Sequence, residues 1–171
     1  MKTTLIIAFA VLGIMSSCDK DDDDDNNGVT SQDREFTMRA SMANFAETDA
    51  GQLAANKATN TGIKEFGAHM VADHTTANQE LKTLANQLGL HAPDSLDAEH
   101  QQLKTKLMSL SGRAFDSVYI HSQLKDHNMA ISLFENQANT GNNSRLREYA
   151  NKQLPHLRMH LQKADSLVNN F

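Results

Sequence analysis

The chain has 171 residues, with 16 Lys and Arg against 21 Asp and Glu, one cysteine, no tryptophan and a formal net charge of −5. Its length suits a single domain, and one cysteine cannot make an intrachain disulfide. Setting aside the single lysine of residues 1–17, and the six aspartates and one lysine of residues 19–25, leaves −1 on the remainder. A nearly neutral domain of that kind argues against nucleic acid or an anionic membrane surface as its partner.

In chain order, residues 1–17 read as a lipoprotein signal peptide: Lys2 supplies the positive start and Leu5 to Met15 form an apolar run. The run is too short to span a bilayer. The following "MSSC" resembles a bacterial lipoprotein signal, which implies that Cys18 becomes the acylated first residue and holds the protein to a membrane through its lipid. Residues 18–30, "CDKDDDDDNNGVT", then read as an acidic disordered tether, because like charges repel and nothing apolar offsets the entropy of ordering. An acid run directly behind such a cysteine also resembles the surface-export signals of Bacteroidetes-type lipoproteins. That implies an outer-membrane lipoprotein of the cell envelope, periplasmic or surface-exposed.

Residues 31–171 carry apolar side chains at helical spacing almost throughout, so the expected class is all-α. The pattern predicts helices over 33–58 and 63–88, joined by "TNTG" and closed by Gly89. A loop with Pro93 follows, in which Asp94 or Ser95 can cap the next helix. A third helical region covers 96–139 with a break at "LSG" (110–112), "NTGNNS" makes a second turn, and a last helix runs to 168. Pro155 is expected to kink that helix or to open a new first turn. Four long helices with short turns inside each pair describe an antiparallel four-helix bundle. "FGAHMVADH" (66–74) and "YIHSQLKDH" (119–127) echo one another, each placing an aromatic eight residues before an Asp-His pair.

Each inner stripe has one polar interruption. Positions 36, 40, 43, 47, 50 and 54 read Phe, Ala, Ala, Glu, Ala, Ala, and the matching stripes on the later helices are broken by His74, His127 and His160. Counting along the helices from turns centred near 60–61 and at Gly141 puts Glu47 level with His74, and His127 level with His156, with His160 about 6–7 Å beyond. One carboxylate and two or three imidazoles at mid-height are a ligand set for a divalent metal ion: zinc, iron or manganese. The competing reading is architectural, a buried Glu47–His74 pair that satisfies itself and fixes register. Asp73 and Asp126 point elsewhere on their helices, towards solvent or behind the ligands. Val71, Leu124 and Leu157 occupy the positions three before His74, His127 and His160, so the Glu-x-x-His pairs of di-iron bundles are missing. No nucleophile elbow, phosphate loop or CxxC pair is present, which makes an enzyme the less expected class.

Residues 39–85, 110–138 and 154–164 ("LPHLRMHLQKA") resemble a family of exported bacterial domains of unknown function, often described as outer-membrane proteins. The resemblance implies a ferritin-like bundle in the cell envelope. Its pattern falls on Glu47, Asp73, His74, Phe115, Asp116, Tyr119, Asp126, His127, Pro155 and His160, which favours His160 over His156, the reserve ligand. It implies no established activity. Two functions therefore stand side by side: a binding or structural module with a polar core, and a metal-binding protein with or without oxidoreductase activity. No protein partner is legible. His69-Met70 and Met159-His160 are residue types used by copper sites, although thioethers at helical spacing are more often core filler. The "DSL" and "DSV" triplets at 94, 116 and 165 resemble short O-glycosylation acceptors.

Overall fold

The computed structural model describes residues 28–170; residues 1–27, with the expected signal peptide, Cys18 and most of the acidic tether, and Phe171 lie outside the described residues. Within them there are five helices and no strand: α1 (Ser31–Lys57), α2 (Thr61–Gln87), α3 (Ala98–Ser109), α4 (Gly112–Thr140) and α5 (Ser144–Asn169). Short polar side chains start four of them. Thr30 and Asp33 form a capping box on α1, and Asn60, Asp97 and Asn143 each accept from backbone N–H groups in the first turn that follows. The "LSG" break is complete, with Gly112 at φ 56°, so the third helical region is two helices. Pro155 does not divide α5, which runs through it as one helix. Val29 packs against the core and the carbonyl of Gly28 accepts from Asn142, so the fold begins ahead of Ser31.

α1 packs along α2 and α4 along α5, and the two hairpins meet through α1 against α4 and α2 against α5; α3 lies against α1 and α4. The first hairpin is tight because glycines face each other: a Cβ on Gly67 would lie 2.8 Å from the Gly51 carbonyl oxygen and 2.7 Å from Ala54 Cβ. Each hairpin turn is held by an aspartate near the start of the other hairpin. Asp116 of α4 accepts from the backbone N–H groups of Thr59 and Asn60 and from the Thr59 hydroxyl. Asp33 of α1 accepts from Gln137 Nε2 and from the Asn143 N–H. Burial works against the Asp33 charge, but these bonds and those from Thr30 outweigh it and keep its carboxyl below the usual range.

Two apolar clusters fill the interior. One gathers Phe36, Leu81, Phe134 and Tyr149, the other Ile63, Phe66, Phe115 and Tyr119. Along each long helix a polar residue separates them: Glu47 on α1, His74 on α2, His127 on α4 and His160 on α5. The polar band therefore crosses the middle of the core. No helix among the described residues is long and apolar enough to cross a membrane.

Candidate metal centre

His74, His127 and His160 come from three helices and are 4, 1 and 2% exposed. Their ring centroids form a near-equilateral triangle, 5.7, 5.4 and 5.4 Å on its sides. One ring nitrogen of each lies within 4.8 Å of one on both others. The remaining hydrogen bonds decide which nitrogen is available. His74 Nδ1 meets Asn44 Oδ1 at 2.9 Å, His127 Nδ1 meets the Gln123 carbonyl at 2.9 Å, and His160 Nε2 meets Asp73 Oδ2 at 2.9 Å. Each of these partners accepts, so each of those nitrogens carries the proton. His74 Nε2, His127 Nε2 and His160 Nδ1 are buried and without a hydrogen-bond partner.

The His74 tautomer is fixed at a distance. The Tyr149 hydroxyl has one proton, which it donates to the Ala77 carbonyl at 3.1 Å, so it must accept from Asn44 Nδ2 at 3.3 Å. Asn44 is thereby turned with its oxygen towards His74. Holding the far nitrogen of a ligating imidazole on an acceptor is the usual way a metal site orients its rings. Burial keeps the three rings neutral. It drives His74 well below the ordinary imidazole value, with His127 and His160 adding to the effect, lowers His127, and takes His160 to about 4 against the pull of Asp73.

Glu47 does not meet His74 across the first hairpin. Its carboxylate accepts from Gln123 Nε2 at 2.8 Å and lies 3.6 Å from His127 Nδ1, whose proton goes to the Gln123 carbonyl instead. α1 ends at Lys57 and α2 begins at Thr61, which centres the turn on Thr59, and Asn44 takes the place beside His74 expected of Glu47. About that centre Asn44, not Glu47, is level with His74. The second turn centres on Asn142, which narrows the offset between His127 and His160 to three residues, about 4.5 Å. Side chains lean towards the N-terminus of their helix, so His160 hangs back towards the turn while His127 leans away from it, and the gap closes. His156 falls on the outer edge of the α5 stripe and is exposed.

Asp73 and Asp126 are the two aspartates expected to lie towards solvent or behind the ligands. Asp73 stands behind His160 and braces it, and Asp126 Oδ1 lies 3.8 Å from His100 Nε2 on α3. Burial, with the Glu47 charge adding, raises the Asp126 carboxyl to about 6. Asn44, Gln123, Tyr149 and His100 went unread in the sequence. Asn44 alone left a trace, a polar residue one turn before Glu47 on the same face. The histidine–methionine pairs do not act together: Met70 is buried while His69 is exposed, and His160 is buried while Met159 is exposed. A cavity of about 290 Å³, lined by Glu47, His74, His100, Asp126 and His127, flanks the triangle on the α1–α4 side. A second of about 170 Å³, lined by Asp73, His74, His156 and His160, flanks it on the α2–α5 side.

The fold is shared with solved proteins of low sequence identity. A crystal structure of a DUF305 fragment from Deinococcus radiodurans superposes with a TM-score of 0.74 at 8% identity, over 84% of this chain and 99% of that one. CopM in its Cu(II)-bound form superposes with a TM-score of 0.63 at 16% identity, over 79% and 96%. None of the curated proteins matches the chain. A family model described as a domain of unknown function, DUF4142, matches residues 19–167. That span runs from the acidic run through all three histidine-bearing helices, and the chain belongs to the DUF4142 family.

Proposed function

We propose that this domain binds one transition-metal ion through His74 Nε2, His127 Nε2 and His160 Nδ1. The observation that carries the reading is the set of three buried, unpartnered nitrogens on rings whose other nitrogens are all held by acceptors. Three buried lone pairs on neighbouring rings cannot satisfy each other, and an unsatisfied buried acceptor costs about 1–3 kcal/mol. A cation shared among them removes that cost. Binding at about 2.0–2.1 Å would draw the rings inward. Imidazole ligands suit zinc, copper and iron, whereas manganese prefers oxygen and fits least. The fold neighbour CopM is a protein whose structure holds Cu(II), which makes copper as well as zinc a natural probe. Three protein ligands leave a further coordination position open.

Equilibrium dialysis of the chelator-stripped protein against Zn(II), Cu(II), Fe(II) and Mn(II) tests this. One tight site per chain is expected for zinc and copper, lost in His74→Ala and retained in Glu47→Gln. A folded protein that takes up none of the four would leave the polar band as architecture.

The four long helices α1, α2, α4 and α5 would form a ferritin-like four-helix bundle, with α3 as an added brace. The leader and "MSSC" support an envelope lipoprotein held at the outer membrane through lipid on Cys18, with the acidic residues as a spacer. Expressed in a lipoprotein-processing bacterium, the wild type is expected to incorporate labelled fatty acid and to fractionate with membranes, and Cys18→Ser to do neither. Membrane fractionation of the serine variant would remove the lipid anchor from the reading.

A further inference from the structure

His160 faces two ways. Its Nδ1 belongs to the buried triangle, while its Nε2 meets Asp73 Oδ2 at 2.9 Å, and the same carboxylate oxygen lies 3.2 Å from His69 Nε2. His69, Asp73 and His160 thus make a second group with ligand atoms within 4.8 Å of one another. The His69 and His160 rings are 5.6 Å apart at 86°. This outer group reaches solvent, since the His69 side chain is 54% exposed and that of Asp73 33%. Asp73 and His160 also line the cavity between α2 and α5.

We infer that His69, Asp73 and His160 form a loading site, which captures a divalent transition-metal ion at the surface and passes it through His160 to the buried triangle. The inference rests on the buried site proposed above. A neutral imidazole has one proton and one lone pair. When an ion is held by His160 Nε2 outside, the proton must be on Nδ1, which then cannot bind inside. When the ion is held by Nδ1 inside, the proton is on Nε2 and bonds to Asp73, as it does here. Passage between the two states moves the metal inward and the ring proton outward, with no net gain or loss of protons. The two sites are therefore alternatives, and the outer one affects the rate of filling rather than the amount bound.

Stopped-flow loading of the metal-free full chain with Co(II) tests this, because four-coordinate cobalt absorbs far more strongly in the visible than hexa-aqua cobalt does. One cobalt per chain is expected at saturation, with His69→Ala filling at least tenfold more slowly to the same final absorbance. His121→Ala, which removes an exposed histidine of α4, is expected to match the wild type. Loading of His69→Ala at the wild-type rate, or two cobalts per wild-type chain, would overturn the loading role. A wild-type chain with no cobalt band, or a band that survives in His74→Ala, would overturn the buried site itself, so the two failures are told apart.

Discussion

Zinc at a thousand times its dissociation constant is expected to stabilise the folded protein by about 4 kcal/mol, a rise of roughly 10–15 °C in Tm for a domain of this size. In His127→Leu the gain is expected to disappear. The same substitution distinguishes a ligand from a structural residue when no metal is present. His127 is 1% exposed, donates through Nδ1 to a carbonyl of its own helix, and leaves Nε2 unpartnered. Replacing it with an apolar side chain of similar size removes a buried unsatisfied acceptor and gives up one local hydrogen bond, two effects of about 1 kcal/mol or a little more that oppose each other. The metal-free variant is therefore expected to be as stable as the metal-free wild type, or more so. A core network selected for stability predicts the reverse: a loss of about 3 kcal/mol without metal and no response to zinc. Urea unfolding of both proteins, with chelator and with zinc, separates the two.

The parts of the fold that depend on periodicity were legible in the sequence, and the parts that depend on register were not. Apolar spacing and the turn residues locate all four long helices to within a few residues, and "LSG" marks where α3 gives way to α4. The three histidines were found because each interrupts an apolar stripe, and that signal does not depend on which residue lies opposite. Pairing them needed turn centres accurate to one residue. Glu47 and His127 are offset alike from the histidines across their turns, and no count along the chain shows that Glu47 turns to Gln123 while Asn44 meets His74. Facing decided between His156 and His160: His156 lies exposed at the outer edge of the α5 stripe, and His160 is buried. The braces were harder still. Asp73 follows no apolar pattern, and Tyr149 reads as an ordinary aromatic of the core until its hydroxyl is seen between Ala77 and Asn44.

Glu47→Gln is expected to stabilise the metal-free protein at pH 8 by about 2–3 kcal/mol and to leave it almost unchanged at pH 4.5. Glu47 is 6% exposed, and burial pushes its carboxyl up to about 7, although the bond from Gln123 and the proximity of His100 both favour the charge. The folded state thus holds a proton that the unfolded chain, with an ordinary carboxyl near 4.5, releases earlier. Stability from this residue is full below about 4.5 and is lost as the pH rises through about 7, where the charge must be carried inside the core. Glutamine keeps the acceptor for Gln123 and removes the charge, so the alkaline loss should vanish. The histidines set the opposite limb. With His160 held near 4, and His74 and His127 also lowered by burial, their contribution is full above the ordinary imidazole value and is lost as the pH falls through about 4. Wild type without metal should therefore be most stable at mildly acidic pH, and Glu47→Gln should extend that optimum to pH 8 while keeping the acid limb. Urea midpoints at pH 4.5, 6 and 8 measure both limbs. Parallel curves for the two proteins would mean that water in the 290 Å³ cavity already solvates the Glu47 charge.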